Sequence, residues 1–272
     1  MFTPTGIHAI LYAFFDAHGR LDRTAMRRQT EACIAAGCDG LAILGLATEV
    51  SKLTGAERHT LVEWAVQDLQ GRLPLAVTIF GETPAQQQST IRHAEQAGAA
   101  WLILQPPPRP GMSEPDLMGL GLSPTNLARL ARAHPNLRAL KAEGPATQVA
   151  EIVAATGLPT LNGRGGLELP DTLRAGALGN IPAPDVCDLL VRCHRAYRSG
   201  DPALADQEYA RALPAIAFVM QGIHHLTTYG KRLTAARLAL GPVHDRAPAL
   251  PATPFGEACV TRFAAKLGPL PT

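Results

Sequence analysis

Short apolar runs alternate along the chain with amphipathic stretches, several of which close on Ala-Gly. Ile7–Phe15, Gly40–Gly45, Leu73–Phe80, Ala100–Leu104, Leu137–Lys141, Pro159–Asn162 and Leu178–Ile181 read as strands. The runs are mostly apolar throughout rather than alternating, as expected of strands buried on both faces of a parallel sheet. Between them the spacing predicts helices over Thr24–Ala36, Gly55–Leu69, Pro84–Ala97, Ser123–Ala133, Pro145–Thr156, Leu167–Ala175 and Pro184–Ser199. Thr54 and Thr83 stand where N-caps belong, Glu57 lies at capping-box spacing, and Gly37 suits a left-handed helix end. Strand and helix in strict alternation imply a parallel sheet with helices outside. No Gly-rich dinucleotide turn or acidic strand end is evident, which favours a barrel over an open sheet.

Beyond Ser199 the pattern is helical only, with a Pro-rich stretch from Pro242 to Pro254. The chain therefore divides into a barrel domain over residues 1–199 and a helical domain over residues 200–272. From Gln105 to Ser123 no strand is predicted, so seven strands stand where an eightfold barrel needs eight. The expected fold is α/β, a (β/α)8 TIM barrel whose fifth strand unit is missing from this chain, with an all-α C-terminal appendage.

Composition narrows the function. Lys plus Arg is 25 against 23 for Asp plus Glu, a net charge of +2, which leaves no electrostatic footprint for nucleic acid or anionic membrane. No apolar run reaches the ~20 residues of a membrane span. The N-terminus reads as a first strand and not as a signal peptide. The five cysteines fit no metal-ligand spacing, Cys33 and Cys38 lying far from any second pair. They read as reduced, buried thiols of a cytoplasmic protein. No metal and no cofactor is expected.

Lysines are few, and Lys141 ends an apolar strand. That places an amine at the C-terminal mouth of a barrel, where catalytic groups collect and where burial frees an amine to attack a carbonyl. The plainer alternative is a strand-end lysine paired with Glu143. After the second strand, the small residues of the turn Gly45–Glu49 suit a carboxylate through backbone N–H groups at Leu46 and Ala47, with Thr48 adding a hydroxyl; the plainer alternative is an ordinary turn with Glu49 facing water or an arginine. Glu49, Glu143, Gly163 and Asn180 are further candidates for the pocket. The Gly-rich turn Gly163–Gly166 also permits a phosphate site.

Several stretches together resemble the dihydrodipicolinate synthase and N-acetylneuraminate lyase family of Schiff-base aldolases. They are Gly6–Ile10, Asp16–Asp22, Gly40–Glu49, Leu53-Thr54 with Glu57-Arg58, Gly71–Pro74, Ala97–Ala99, Pro106-Pro107, Arg138–Lys141, Gly176–Ile181 and Tyr229–Lys231. The resemblance implies a homo-oligomer, dimer or tetramer, and a small-molecule 2-keto acid such as pyruvate as substrate. It implies Lys141 as Schiff-base nucleophile, with the N–H groups of Leu46 and Ala47 on the substrate carboxylate. The protonated imine then withdraws electrons for aldol cleavage, condensation or dehydration.

The chain departs from the family pattern in three ways. Leu46 and Ala47 replace hydroxyl residues. The tyrosine that ends the family's fifth strand has no counterpart. The chain is also about twenty residues shorter between Pro107 and Lys141, a shortage equivalent to the missing helix and strand and falling near Leu117 to Gly121. Two other readings follow from the residues: a binding or structural scaffold that has lost catalysis, and a phosphate-binding barrel enzyme.

Overall fold

The computed structural model describes residues 3–81, 83–105 and 122–272. Pro106-Pro107 and the presumed deletion point between Leu117 and Gly121 lie outside the described residues. Seven parallel strands occur among the described residues: β1 (Gly6–Ile10), β2 (Gly40–Ile43), β3 (Leu75–Ile79), β4 (Trp101–Leu104), β5 (Leu140–Ala142), β6 (Thr160–Asn162) and β7 (Gly179–Asn180). Their order across the sheet is β4-β3-β2-β1-β7-β6-β5. The sheet curls into a nearly closed barrel, and among the described residues β4 and β5 are its two end strands.

Burial follows this order. All residues of β1, β2 and β3 are buried, whereas β4 is half-buried and its last residue, Leu104, is 69% exposed. Central strands are covered on both faces by helices and barrel interior, whereas β4 has, among the described residues, one partner strand.

Helices α1 (Arg23–Ala35), α2 (Gly55–Leu69), α3 (Pro84–Ala97), α4 (Pro124–Ala133), α5 (Ala146–Thr156), α6 (Leu169–Arg174) and α7 (Cys187–Arg198) complete the barrel units. Their starts are set by side chains that relieve the orphan N–H groups of a first turn. Thr54 and Glu57 form a reciprocal capping box on α2, and Thr83 with Gln86 does the same for α3. Gly37, at φ +79°, turns the chain out of α1 in the left-handed conformation that glycine adopts without steric cost.

The appendage consists of α8 (Pro202–Val219), a single turn at Ile223–His225, a π-helical turn at Leu226–Gly230, α9 (Lys231–Arg237) and α10 (Pro254–Leu267). It is not a separate core, because Ala212, Ile216 and Leu233 belong to the same buried cluster as Ile7 and Leu41. Buried ion pairs bind the two parts. Lys231, with no exposed side-chain area, donates to Glu49 at 2.5 Å, and Arg237 forms a two-pronged pair with Asp188 at 2.9 Å. Gly230 lets the Tyr12 hydroxyl come close, since a Cβ there would stand 2.2 Å from it. No described helix is long and apolar enough to cross a membrane.

Candidate active site

The register places Lys141, Leu161, Gly179 and Gly6 in one row across β5, β6, β7 and β1. On the other face, Leu140 and Ala142 pack with Leu127 of α4 and Val149 and Ile152 of α5. Alternation along the strand therefore turns Lys141 away from the helices, into the barrel. The strand is shorter than predicted and begins at Leu140, which brings Lys141 to its middle position.

The Lys141 ammonium is 26% exposed and contacts Oε1 of Glu143. Glu143 is held from its other side, where Oε2 accepts the Arg164 N–H at 3.0 Å. Its carboxylate lies against Gly163, whose absent Cβ would stand 2.3 Å from either oxygen. Gly163 is fixed in turn: its N–H donates to the Ala142 carbonyl and to Asn162 Oδ1, both at 2.9 Å, and Asn180 Nδ2 donates to its carbonyl at 3.0 Å. Asn180 thus supports the turn behind Glu143. The Gly-rich turn has a partner for each N–H of Gly163, Arg164 and Gly166, so the protein's own carboxylate occupies the place a phosphate needs.

The turn after β2 lies at the same rim, beyond the C-terminal end of a parallel strand. Leu44 and Glu49 bracket it in left-handed conformation, with φ +64° and +54°. Gly45 packs tightly, because a Cβ there would meet Ile10 Cδ1 at 2.3 Å. Among the described residues no acceptor is recorded for the N–H groups of Leu46, Ala47 and Thr48, a run of donors suited to a carboxylate. The Thr48 hydroxyl is not part of that set; buried, it donates to the Leu11 carbonyl at 2.7 Å. Glu49 is likewise committed elsewhere, buried between Lys231 and Lys52. Spacing gave no sign of either role, since Leu11 and Lys231 are distant in sequence.

Three sulfurs converge, contrary to the expectation of isolated cysteines. Cys33, Cys38 and Cys187 have Sγ atoms within 4.8 Å of one another, all buried, a set able to hold a soft metal ion. Hydrogen bonding between the thiols, together with burial, holds the Cys33 thiol well above its ordinary range, and the group stays protonated. The spacing of Cys33 and Cys38 could not have revealed Cys187, which joins from another helix. His8 is buried with its ring edge-on to Trp101, and His225 packs on Phe218 and Tyr229. A surface hollow of about 240 Å³ lies between α1 and α2, lined by the Arg23–Asp68 and Arg72–Glu31 pairs. Another is lined by Val66, Leu69 and Pro74, and neither includes Lys141.

Comparison with known proteins agrees with this architecture. Residues 3–107 match the family model described as the dihydrodipicolinate synthetase family. The probable 2-dehydro-3-deoxy-D-pentonate aldolase YjhH of Escherichia coli K12 is 27% identical, the match covering 74% of this chain and 77% of that one. A 4-hydroxy-tetrahydrodipicolinate synthase of Methanoculleus marisnigri is 26% identical over 86% of this chain and 90% of that one. Among solved structures, YagE of E. coli K12, a family member in complex with pyruvate, superposes with a TM-score of 0.83 at 22% identity, covering 97% of this chain and 98% of that one. Over residues 3–107 the chain is thus similar to the dihydrodipicolinate synthetase family, and it shares the fold of that family's solved structures.

Proposed function

We propose that the chain is a Schiff-base lyase acting on pyruvate or a related 2-keto acid, with Lys141 as the amine. The observation that carries this reading is the inward projection of Lys141 from β5. Lys52 and Lys231, by contrast, are both spent on Glu49. The N–H groups of Leu46 and Ala47, which have no acceptor among the described residues, support a carboxylate seat. The apolar side chains in that turn, and the likeness to a deoxy-sugar-acid aldolase, favour aldol cleavage or dehydration of sugar-derived keto acids. In this reading residues 1–199 form the catalytic unit and residues 200–272 a helical clamp on it. The enzyme works in the cytoplasm, as buried free thiols suit, and as a dimer or tetramer, which light scattering tests.

Incubation with pyruvate and borohydride is expected to add a reduced adduct to the peptide carrying Lys141, and Lys141→Ala to abolish it. If neither pyruvate nor longer 2-keto acids give an adduct, the reading fails. The pairing of Lys141 with Glu143 favours one other reading, a scaffold that keeps the barrel without turnover. In that case Lys141→Ala leaves ligand binding unchanged.

A further inference from the structure

Forming an imine at a lysine requires proton transfers besides the attack itself, two of which call for an external base and acid. A base must relieve the amine of a proton, and an acid must protonate the departing hydroxyl. Among the described residues the recorded partner of Lys141 Nζ is Oε1 of Glu143. Phenols are engaged elsewhere. The chain has four tyrosines; the Tyr12 hydroxyl donates to Asp185, that of Tyr209 to the Leu167 carbonyl, and that of Tyr229 is shared with Thr253. Tyr197 lies on α7, packed against the core.

The geometry points to Glu143 as the general acid–base of imine formation at Lys141, an inference that rests on the Schiff-base reading above. Its placement suits both duties. One oxygen is anchored on the Arg164 N–H, the other is free to exchange a proton with Nζ, and the missing Cβ of Gly163 makes room for the carboxylate. The carboxylate is also 47% exposed, so water reaches it.

The sequence balances. Glu143 takes a proton from the Lys141 ammonium, and the neutral amine forms a bond to the keto carbon as the carbonyl π pair moves to oxygen. A second nitrogen proton passes to that oxygen, giving a carbinolamine. The nitrogen lone pair then expels the hydroxyl as Glu143 returns its proton to it. The products are water, a protonated imine and the original carboxylate, with no oxidant or reductant involved.

Glu143→Gln retains an acceptor for the Arg164 N–H but cannot carry the proton, and Glu143→Ala leaves space for a small carboxylate. The rate of adduct formation with pyruvate, trapped by cyanoborohydride and followed by intact-mass spectrometry, reads the step directly. The expected result is a loss of about 10²- to 10⁴-fold in Glu143→Gln, with the rate of Glu143→Ala rising in proportion to added formate. A Glu143→Gln rate equal to the parent's overturns the inference and leaves Lys141 as nucleophile. A slow Glu143→Ala enzyme that formate does not restore assigns Glu143 a merely structural role and also overturns it. No adduct on the parent enzyme overturns both this inference and the reading beneath it.

Discussion

Gly163 shows how much of the site depends on a side chain that is absent. Alanine there places a Cβ 2.3 Å from both oxygens of Glu143, and the carboxylate must leave its seat beside Lys141. We expect Gly163→Ala to lower kcat/KM for 2-keto acid turnover by about 10- to 100-fold, the scale for a displaced reacting group, with the circular dichroism spectrum unchanged. Activity at the parent's level would show that the seat is not needed. At this scale the sequence was partly legible. Lys141 stood out because a charge ending an apolar strand has few places to go. Thr48 and Glu49 looked equally polar and equally close to the mouth. Their actual partners are the carbonyl of Leu11 and the ammonium of Lys231, which only the folded chain brings near.

Elements are more legible in the sequence than the partners of single residues. Helices α2 and α3 begin and end where the caps and periodicity predict, because Thr54 and Thr83 satisfy N–H groups locally. Strands were overestimated: Ile7–Phe15 shrinks to Gly6–Ile10, and Leu137–Lys141 becomes Leu140–Ala142. Apolar residues continue past the ends of a ladder when they serve the core, as Leu11, Tyr12 and Phe14 do, so hydropathy alone cannot find where pairing stops. The ladder itself makes a prediction. β1 is paired on both sides, whereas β4 and β5 have each one partner strand among the described residues. Amide hydrogen exchange measured by mass spectrometry should be slowest in β1 and β2 and fastest in β4 and β5. Equal protection throughout would refute this ordering.

For the whole molecule, buried polar groups tie the barrel to the appendage and make stability depend on pH. Asp185 accepts the Tyr12 hydroxyl at 3.1 Å, and burial raises its carboxyl from 3.8 to about 6. The sign follows directly. Below about pH 4 both folded and unfolded chains carry the proton and the group contributes nothing. As pH rises through 6 the unfolded chain ionises more readily, and the fold loses stability. The full effect is at most about 3 kcal/mol. Asp185→Asn keeps an acceptor for Tyr12 and removes the charge. Its melting temperature is expected to exceed the parent's at pH 7, with the gap closing toward pH 4; a pH-independent gap would refute the assignment. Nothing in the sequence announced this pair, because Tyr12 and Asp185 sit at opposite ends of the barrel's chain and Gly230 of the appendage makes room for their contact.

The strand order also bears on synthesis. The first strand made is the fourth of seven across the sheet, with its neighbours added on two sides. On one side β2, β3 and β4 follow in order, each joining the last as it emerges. On the other side the order runs backward: β5 and β6 can pair with each other, but they reach β1 only through β7. A nascent chain halted before Gly179 therefore lacks the strand through which, among the described residues, β5 and β6 are joined to β1. The strand that carries Lys141 is made fifth and anchored last, so the amine takes up its position only when the barrel's final strand has docked.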